Sequence, residues 1–506
     1  MRVRIGAVIL AVVLSTTLLA VVSSAPSSGA ARHAGSGLSL GKTSTFSVPG
    51  VTVTGTPTQY DQVMVRRFGS PSATNVLVLV PGTLAGAADF DIVGPYLAKN
   101  VPNLQVWAEM RREGALEDLN NGNAMLIKGL AGKATVQQVF DYYLGWLADP
   151  SISPHYVPLS ASQFSFVDEW GLATAMGDLN NVIKLARDGG KRTVILGGHS
   201  LGGAEASIYP VWDFSGKGGY TNIAGIIGID GDAGLASGFG GSPPLTTAAE
   251  ATSALTTLEA GSPWLDLLGN GLPWITGPYA EVGALAALME PNDASILQQF
   301  PLLPPELKTP VQVTNQAGLG YAFDASTSPA SLALIHVHSG HVATTGSAPF
   351  GWVNDGPTPV QDIAFAFSQE PLGPVDWYYP ERLTIDTEAA GSLTETPAAT
   401  VLGLSLDHLS QVDVPMYVIQ TSLGGTNNAV IDAAEAYKAA SKIPTLMTVN
   451  EASTYAHLDP LLATPAQNDF LTGSTSVIPW IEKLPGYQAT PASAVTGRGR
   501  RAGHRG

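Results

Sequence analysis

The sequence predicts an α/β fold, with a mostly parallel central sheet, helices on both of its faces and a large inserted cap. Three observations carry this. Short apolar runs such as Val76-Leu77-Val78-Leu79-Val80 and Thr193-Val194-Ile195-Leu196 have the continuous pattern of strands buried on both faces. They alternate with segments of helical spacing rather than with hairpin turns. One of them runs directly into Gly197-Gly198-His199-Ser200-Leu201-Gly202-Gly203, a strand handing over to a helix.

Taken in chain order, the elements begin with Arg2 and Arg4 before an apolar run from Ile5 to Val22 and a small-residue stretch to Ala31. That order is the pattern of a secretory signal, so residues 1–31 are expected to be removed near Ala30 or Ala31. An uncleaved anchor is the alternative, since the run is just long enough to span a bilayer. A strand at Val76–Val80 stops at Pro81-Gly82, and Leu104–Ala108 reads as the next one. From about Phe166 to Arg187, Trp170, Leu172, Met176, Leu179, Val182, Ile183 and Leu185 recur at helical spacing. After the Ser200 segment, strands are expected at Ile223–Ile229, Val414–Ile419 and Pro444–Val449. The tail, residues 491–506, is basic and without an apolar anchor, and reads as disordered.

Composition removes other classes of function. The chain has 41 acidic and 25 basic residues, a formal net charge of −16, which repels a phosphate backbone and argues against nucleic acid. There is no cysteine, so thiol catalysis, disulfides and thiolate metal sites are excluded together. No phosphate-cradling loop or dinucleotide fingerprint stands out, and no cofactor is expected.

Gly198-His199-Ser200-Leu201-Gly202 fits G-x-S-x-G at a strand-to-helix turn, where the residues two before and two after the serine must be tiny. Ser200 is therefore the candidate nucleophile, and the following helix N-terminus offers amides to an oxyanion. The loop after the earlier strand, Pro81-Gly82-Thr83-Leu84, is the candidate for the second donor. The backbone N–H groups of Thr83 and Leu201 are assigned that role, with Leu84 as the replacement for Thr83. Of nine histidines, His457 best fits a general base, since it follows the last expected strand in a loop leading to a helix. His199 lies inside the elbow and is read as facing away. For the acid, the strand ending at Ile419 is followed by no carboxylate until Asp432, whereas Ile226–Ile229 ends in Asp230-Gly231-Asp232. Asp230 is placed first, then Asp232, then Asp432; an Asp that only caps a turn is the competing reading.

Ser200 in its elbow, Pro81-Gly82-Thr83 after a strand and the late His457 make the chain resemble the α/β-hydrolase superfamily of esterases and lipases. The matching pieces are residues 45–235 and 405–490. The 109–119 segment, with Arg111-Arg112 and Leu116-Glu117-Asp118, is similar to the loop after the fourth strand in such enzymes. Gly228-Ile229-Asp230 is similar to the Gly-Leu-Asp of pancreatic-type lipases, whose acid follows this earlier strand. The resemblance implies a secreted serine hydrolase acting on a small-molecule or lipid-like ester through a Ser-His-Asp triad and an acyl-enzyme. A serine nucleophile argues against the dehalogenases and epoxide hydrolases of the superfamily. An acyltransferase using the same triad, or a non-catalytic binding protein that kept the fold, are the rival readings.

Residues 236–404 interrupt the strand pattern and are rich in Pro and aromatics. They are expected to form a cap that excludes water and favours apolar substrates, with Leu265 to Leu272 and Ala284 to Met289 as its helices. A separately folded accessory domain is the alternative. His336-Val337-His338-Ser339-Gly340-His341 has no evident acidic partner nearby, so polar contacts within the cap are expected there rather than a metal.

Overall fold

The computed structural model describes residues 38–118, 124–231, 244–369, 371–424 and 427–490. The segment read as a signal, the basic tail and Asp232 lie outside the described residues. Strands β1 (Thr43–Pro49), β2 (Gln62–Gly69), β3 (Asn75–Val80), β4 (Leu104–Met110), β5 (Thr193–His199) and β6 (Ile226–Ile229) precede a separate two-stranded ribbon, β7 (Gly340–Val342) and β8 (Trp352–Asn354). With β9 (Met416–Gln420) and β10 (Leu446–Asn450), the first six form one sheet in the order β1-β2-β4-β3-β5-β6-β9-β10. The β1–β2 and β2–β4 pairs are antiparallel and the rest parallel. β1 and β2 were not singled out from sequence: they form an antiparallel edge, and Thr43-Ser44-Thr45 carries little apolar signal.

The central strands are apolar throughout because both faces are covered. Along β3, Leu77 and Leu79 join one core while Val76, Val78 and Val80 join the other, as the two-residue period of a strand requires. Each fully buried side chain of this size contributes roughly 1.5–3 kcal/mol. The first core takes α1 (Val93–Asn100), α2 (Met125–Leu130) and α3 (Val136–Tyr143). The second takes α4 (Leu172–Arg187) and α5 (Leu201–Ile208). α4 begins at Leu172, later than its spacing predicts, because the carboxylate of Asp386 accepts from the Leu172 N–H at 2.9 Å and stops the helix there. A two-point pair of Arg112 on Asp178, at 2.8 and 2.7 Å, ties α4 to the turn after β4.

The 236–404 block divides between the two cores. α6 (Ala248–Ala260) packs with the second core, whereas α7 (Thr276–Met289), α8 (Asn315–Phe323) and α9 (Val360–Ala366) pack with the first, α7 resting on α2 and α3. α10 (Glu381–Ala390) and α11 (Pro397–Leu402) return to the second core against α4 and α6. Ala284 to Met289 lies in α7, but Leu265 to Leu272 forms no helix. Gly269 and Gly271 sit there at φ 61° and 77°, and Asp266 accepts from the Gly271 N–H at 2.6 Å, closing a turn instead. α12 (Ala429–Ala440), α13 (Asp459–Leu462) and α14 (Val477–Ile481) complete the fold.

Candidate active site

The elbow is built by close approach. A Cβ on Gly198 would lie 2.0 Å from the Gly202 carbonyl oxygen, and one on Gly202 would lie 2.0 Å from that of Val80. Both positions therefore exclude any side chain. Ser200 is forced to φ 56°, ψ −122°, a conformation that L residues rarely adopt. Its own N–H donates to the Ile229 carbonyl at 2.9 Å, which locks the turn to the end of β6. Among the described residues, seven other than glycine have positive φ, and three of them are Leu84, Ser200 and Asp230. Three strained residues thus meet at this site.

Asp230 is fully buried at the end of β6, and its Oδ2 lies 2.6 Å from His457 Nδ1. Two further donors reach the carboxylate from the end of β9. The Thr421 N–H gives 2.6 Å to Oδ1, and the Thr421 hydroxyl gives a short bond to Oδ2. Burial pushes the carboxyl upward, but hydrogen bonds and charge from His457 and the bonds from Thr421 outweigh it, so its pKa ends below the ordinary value. Asp432 stands exposed on α12, away from this pair.

Held through Nδ1, the His457 ring keeps Nε2 for the cavity it shares with Ser200. The loop that carries it is fixed on several sides. His199 is not turned away from the site: it lines the same cavity, and its Nε2–H donates to the His457 carbonyl at 3.0 Å. Burial, with the neighbouring His457, pushes the His199 pKa down to about 3, so it stays neutral and keeps that donor. Asp459, fully buried, accepts from the Ala456 N–H at 2.7 Å, the His338 N–H at 3.0 Å and the Thr358 hydroxyl at 2.6 Å. The Leu458 N–H donates to the His336 carbonyl at 2.9 Å. Residues His336, His338 and Thr358 are thereby bonded to the loop of His457. The histidine trio divides among separate partners: His336 Nε2 meets the Pro329 carbonyl, His338 Nδ1 meets Asp459, and His341 Nδ1 meets Asp355.

The loop after β3 is held from behind. The Arg111 guanidinium donates to the carbonyls of Pro81 at 2.5 Å and Gly82 at 3.1 Å, and pairs with Glu205 of α5 at 3.0 Å. In a trans peptide the N–H points opposite to the carbonyl, so fixing Gly82 O turns the Thr83 N–H away from Arg111. Thr83 and Leu84 both line the cavity beside Ser200. Leu201 opens α5, so its N–H has no acceptor within the helix. The walls of the cavity are mainly apolar: Leu268, Ile275, Phe300, Phe323, Leu332 and Phe367 are among them. Sequence reasoning missed His199, Thr421 and Asp459, because a hydrogen-bonding role between distant segments leaves no local spacing to read.

No family model matches the chain, and no curated protein matches it. Among solved structures it is similar to a protein from Sulfolobus solfataricus described as a lipase, at 15% identity and TM-score 0.44, over 87% of this chain and 93% of that one. It is similar to a thermophilic esterase from Thermogutta terrifontis at 13% and 0.31, over 83% and 93%. A third is epoxide hydrolase A from Mycobacterium thermoresistibile at 12% and 0.37, over 88% and 99%. At such distances the residues of the site, not the neighbours, carry any chemical reading. Its own strand order, the elbow after β5 and the histidine loop after the last strand give this chain the α/β-hydrolase fold.

Proposed function

We propose that this protein is a serine hydrolase that cleaves carboxylic esters with a substantial apolar part. The observation that supports it most is the joint placement of Ser200 and His457 on one cavity, with His457 Nδ1 held at 2.6 Å by buried Asp230. In this reading His457 takes the Ser200 proton as the hydroxyl attacks the ester carbonyl. Asp230 orients the ring and stabilises the imidazolium, and the Thr83 and Leu201 N–H groups bind the oxyanion. His457 then protonates the leaving alkoxide, and water repeats the sequence on the acyl-enzyme to release the acid. The apolar walls favour esters with long or bulky hydrocarbon parts.

Fluorophosphonate labelling of wild type, Ser200→Ala and His457→Ala, with hydrolysis of p-nitrophenyl esters in parallel, tests the reading. Label is expected on Ser200 alone, with kcat/KM falling about 10⁴-fold or more in either variant. Wild-type protein that neither labels nor hydrolyses would overturn it. The same proposal takes residues 1–31 as an export signal. Mature protein starting near Ala31 or Arg32 is expected in the culture medium, and full-length protein retained in the cell would count against it.

A further inference from the structure

Resting on that reading, we propose that the apolar part of the substrate carries a hydroxyl group, recognised inside the cavity by Asp89, Thr276 and Tyr279. Asp89 lies in the turn that follows the Thr83 loop, is 3% exposed, and lines the cavity that holds Ser200. Among the described residues its carboxyl hydrogen-bonds to no protein group, although nearly every wall around it is hydrocarbon. Thr276 and Tyr279 face the same cavity from α7, three residues apart and so on one side of the helix. The Thr276 hydroxyl is buried without a protein partner.

The Thr276 hydroxyl, with two further oxygen-bearing residues on a mainly apolar cavity, needs an explanation, because a buried polar atom left unpaired is costly. Native proteins keep few of them. A cavity built for hydrocarbon alone would carry Leu or Phe at these positions, as it does elsewhere in its lining. Burial, and the neighbouring Asp91, push the Asp89 pKa well above its ordinary value, while Arg111 pulls the other way. A ligand hydroxyl can donate to the Asp89 carboxyl, and the Thr276 and Tyr279 hydroxyls can each donate to it or accept from it. The site thus discriminates an oxygenated chain from a plain one.

The test is a set of matched p-nitrophenyl esters, plain alkanoates against their monohydroxy counterparts, with the hydroxyl moved along the chain. Wild type is expected to favour the hydroxy ester in kcat/KM by at least about tenfold at one or two adjacent positions. Asp89→Leu should bring that ratio close to one. Thr276→Val and Tyr279→Phe, which barely change volume, should each lower it, and they carry the test should Asp89→Leu fail to fold. If wild type labels at Ser200 with fluorophosphonate yet shows no preference at any position, the inference is overturned while the hydrolase reading stands; water alone then satisfies these groups. A preference that survives all three substitutions also overturns it. Absence of labelling removes the hydrolase reading and this one with it.

Discussion

Two neighbouring strands, β6 and β9, end beside one imidazole and do different work there. β6 ends in Asp230, a strained, fully buried carboxylate bonded to His457. β9 ends in Thr421, which has no charge and instead sends its N–H and its hydroxyl to that carboxylate. The acid and its support have been shared between adjacent strand ends. What the difference teaches is that both strand ends reach the same carboxylate, because parallel neighbours end only about 5 Å apart. The other strand end is then left to satisfy the oxygens that the imidazole does not use. A buried carboxylate without those donors would be expensive.

Breaking the β6 side should have the largest effect. Asp230→Asn is expected to lower kcat about 10⁴-fold while leaving KM within a few-fold, read by steady-state kinetics. A loss under tenfold would mean that the pair is structural only. Exchanging the roles sharpens the comparison: Asp230→Thr combined with Thr421→Asp should recover about tenfold or more over Asp230→Thr alone. No recovery would show that the geometry of β6, and not the proximity of a carboxylate, matters.

On the β9 side, Thr421→Val keeps the N–H and removes the hydroxyl, for an expected loss of about tenfold in kcat. Its pH dependence has a defined sign. Asp230 has its folded pKa below the unfolded value, so the stability it contributes is present above the unfolded value and lost as pH falls through the folded one. Removing a donor raises the folded pKa, so that contribution should be lost earlier on acidification, visible in Tm below about pH 4. Asp459 offers a control, since it fixes the histidine loop without touching the imidazole. Asp459→Asn should cost about 1–3 kcal/mol of stability by denaturant unfolding, with a smaller effect on kcat than Asp230→Asn.

The smallest effect is global. Burial pushes Asp91, Asp362 and Asp386 up to about 6 and Glu113 up to about 7. Between the unfolded values near 4 and these folded values the native state holds more protons, so stability falls as pH rises through that window. His199, lowered to about 3, and His336, also lowered by burial, oppose this as pH falls below 6.5. The raised acids predict a lower Tm at pH 8 than at pH 5.5, and a rise would contradict the burial of these acids.

Much of the fold was legible. Val76–Val80, Leu104–Ala108 and the strand before Ser200 announce themselves because both faces of a parallel strand are apolar. The elbow was legible because steric exclusion writes glycine at Gly198 and Gly202. β1 and β2 were not, since an antiparallel edge tolerates polar residues. Nor was the division of residues 236–404, whose helices α10 and α11 pack with the second core against α4 and α6. Composition distinguishes apolar from polar, but not which of two apolar surfaces a helix covers.

Periodicity and local sterics, both properties of neighbours along the chain, determined the parallel sheet, the turn that presents Ser200 and the histidine loop after the last strand. The bond between Asp230 and His457, the bonds from Thr421, the neutral His199 behind His457 and the oxygen groups facing the cavity were decided only by tertiary structure. Asp230 and His457 are 227 residues apart, and Asp230 and Thr421 are 191 apart. Hydrogen bonds depend on distance in space to a few tenths of an ångström, and no pattern along the chain encodes that.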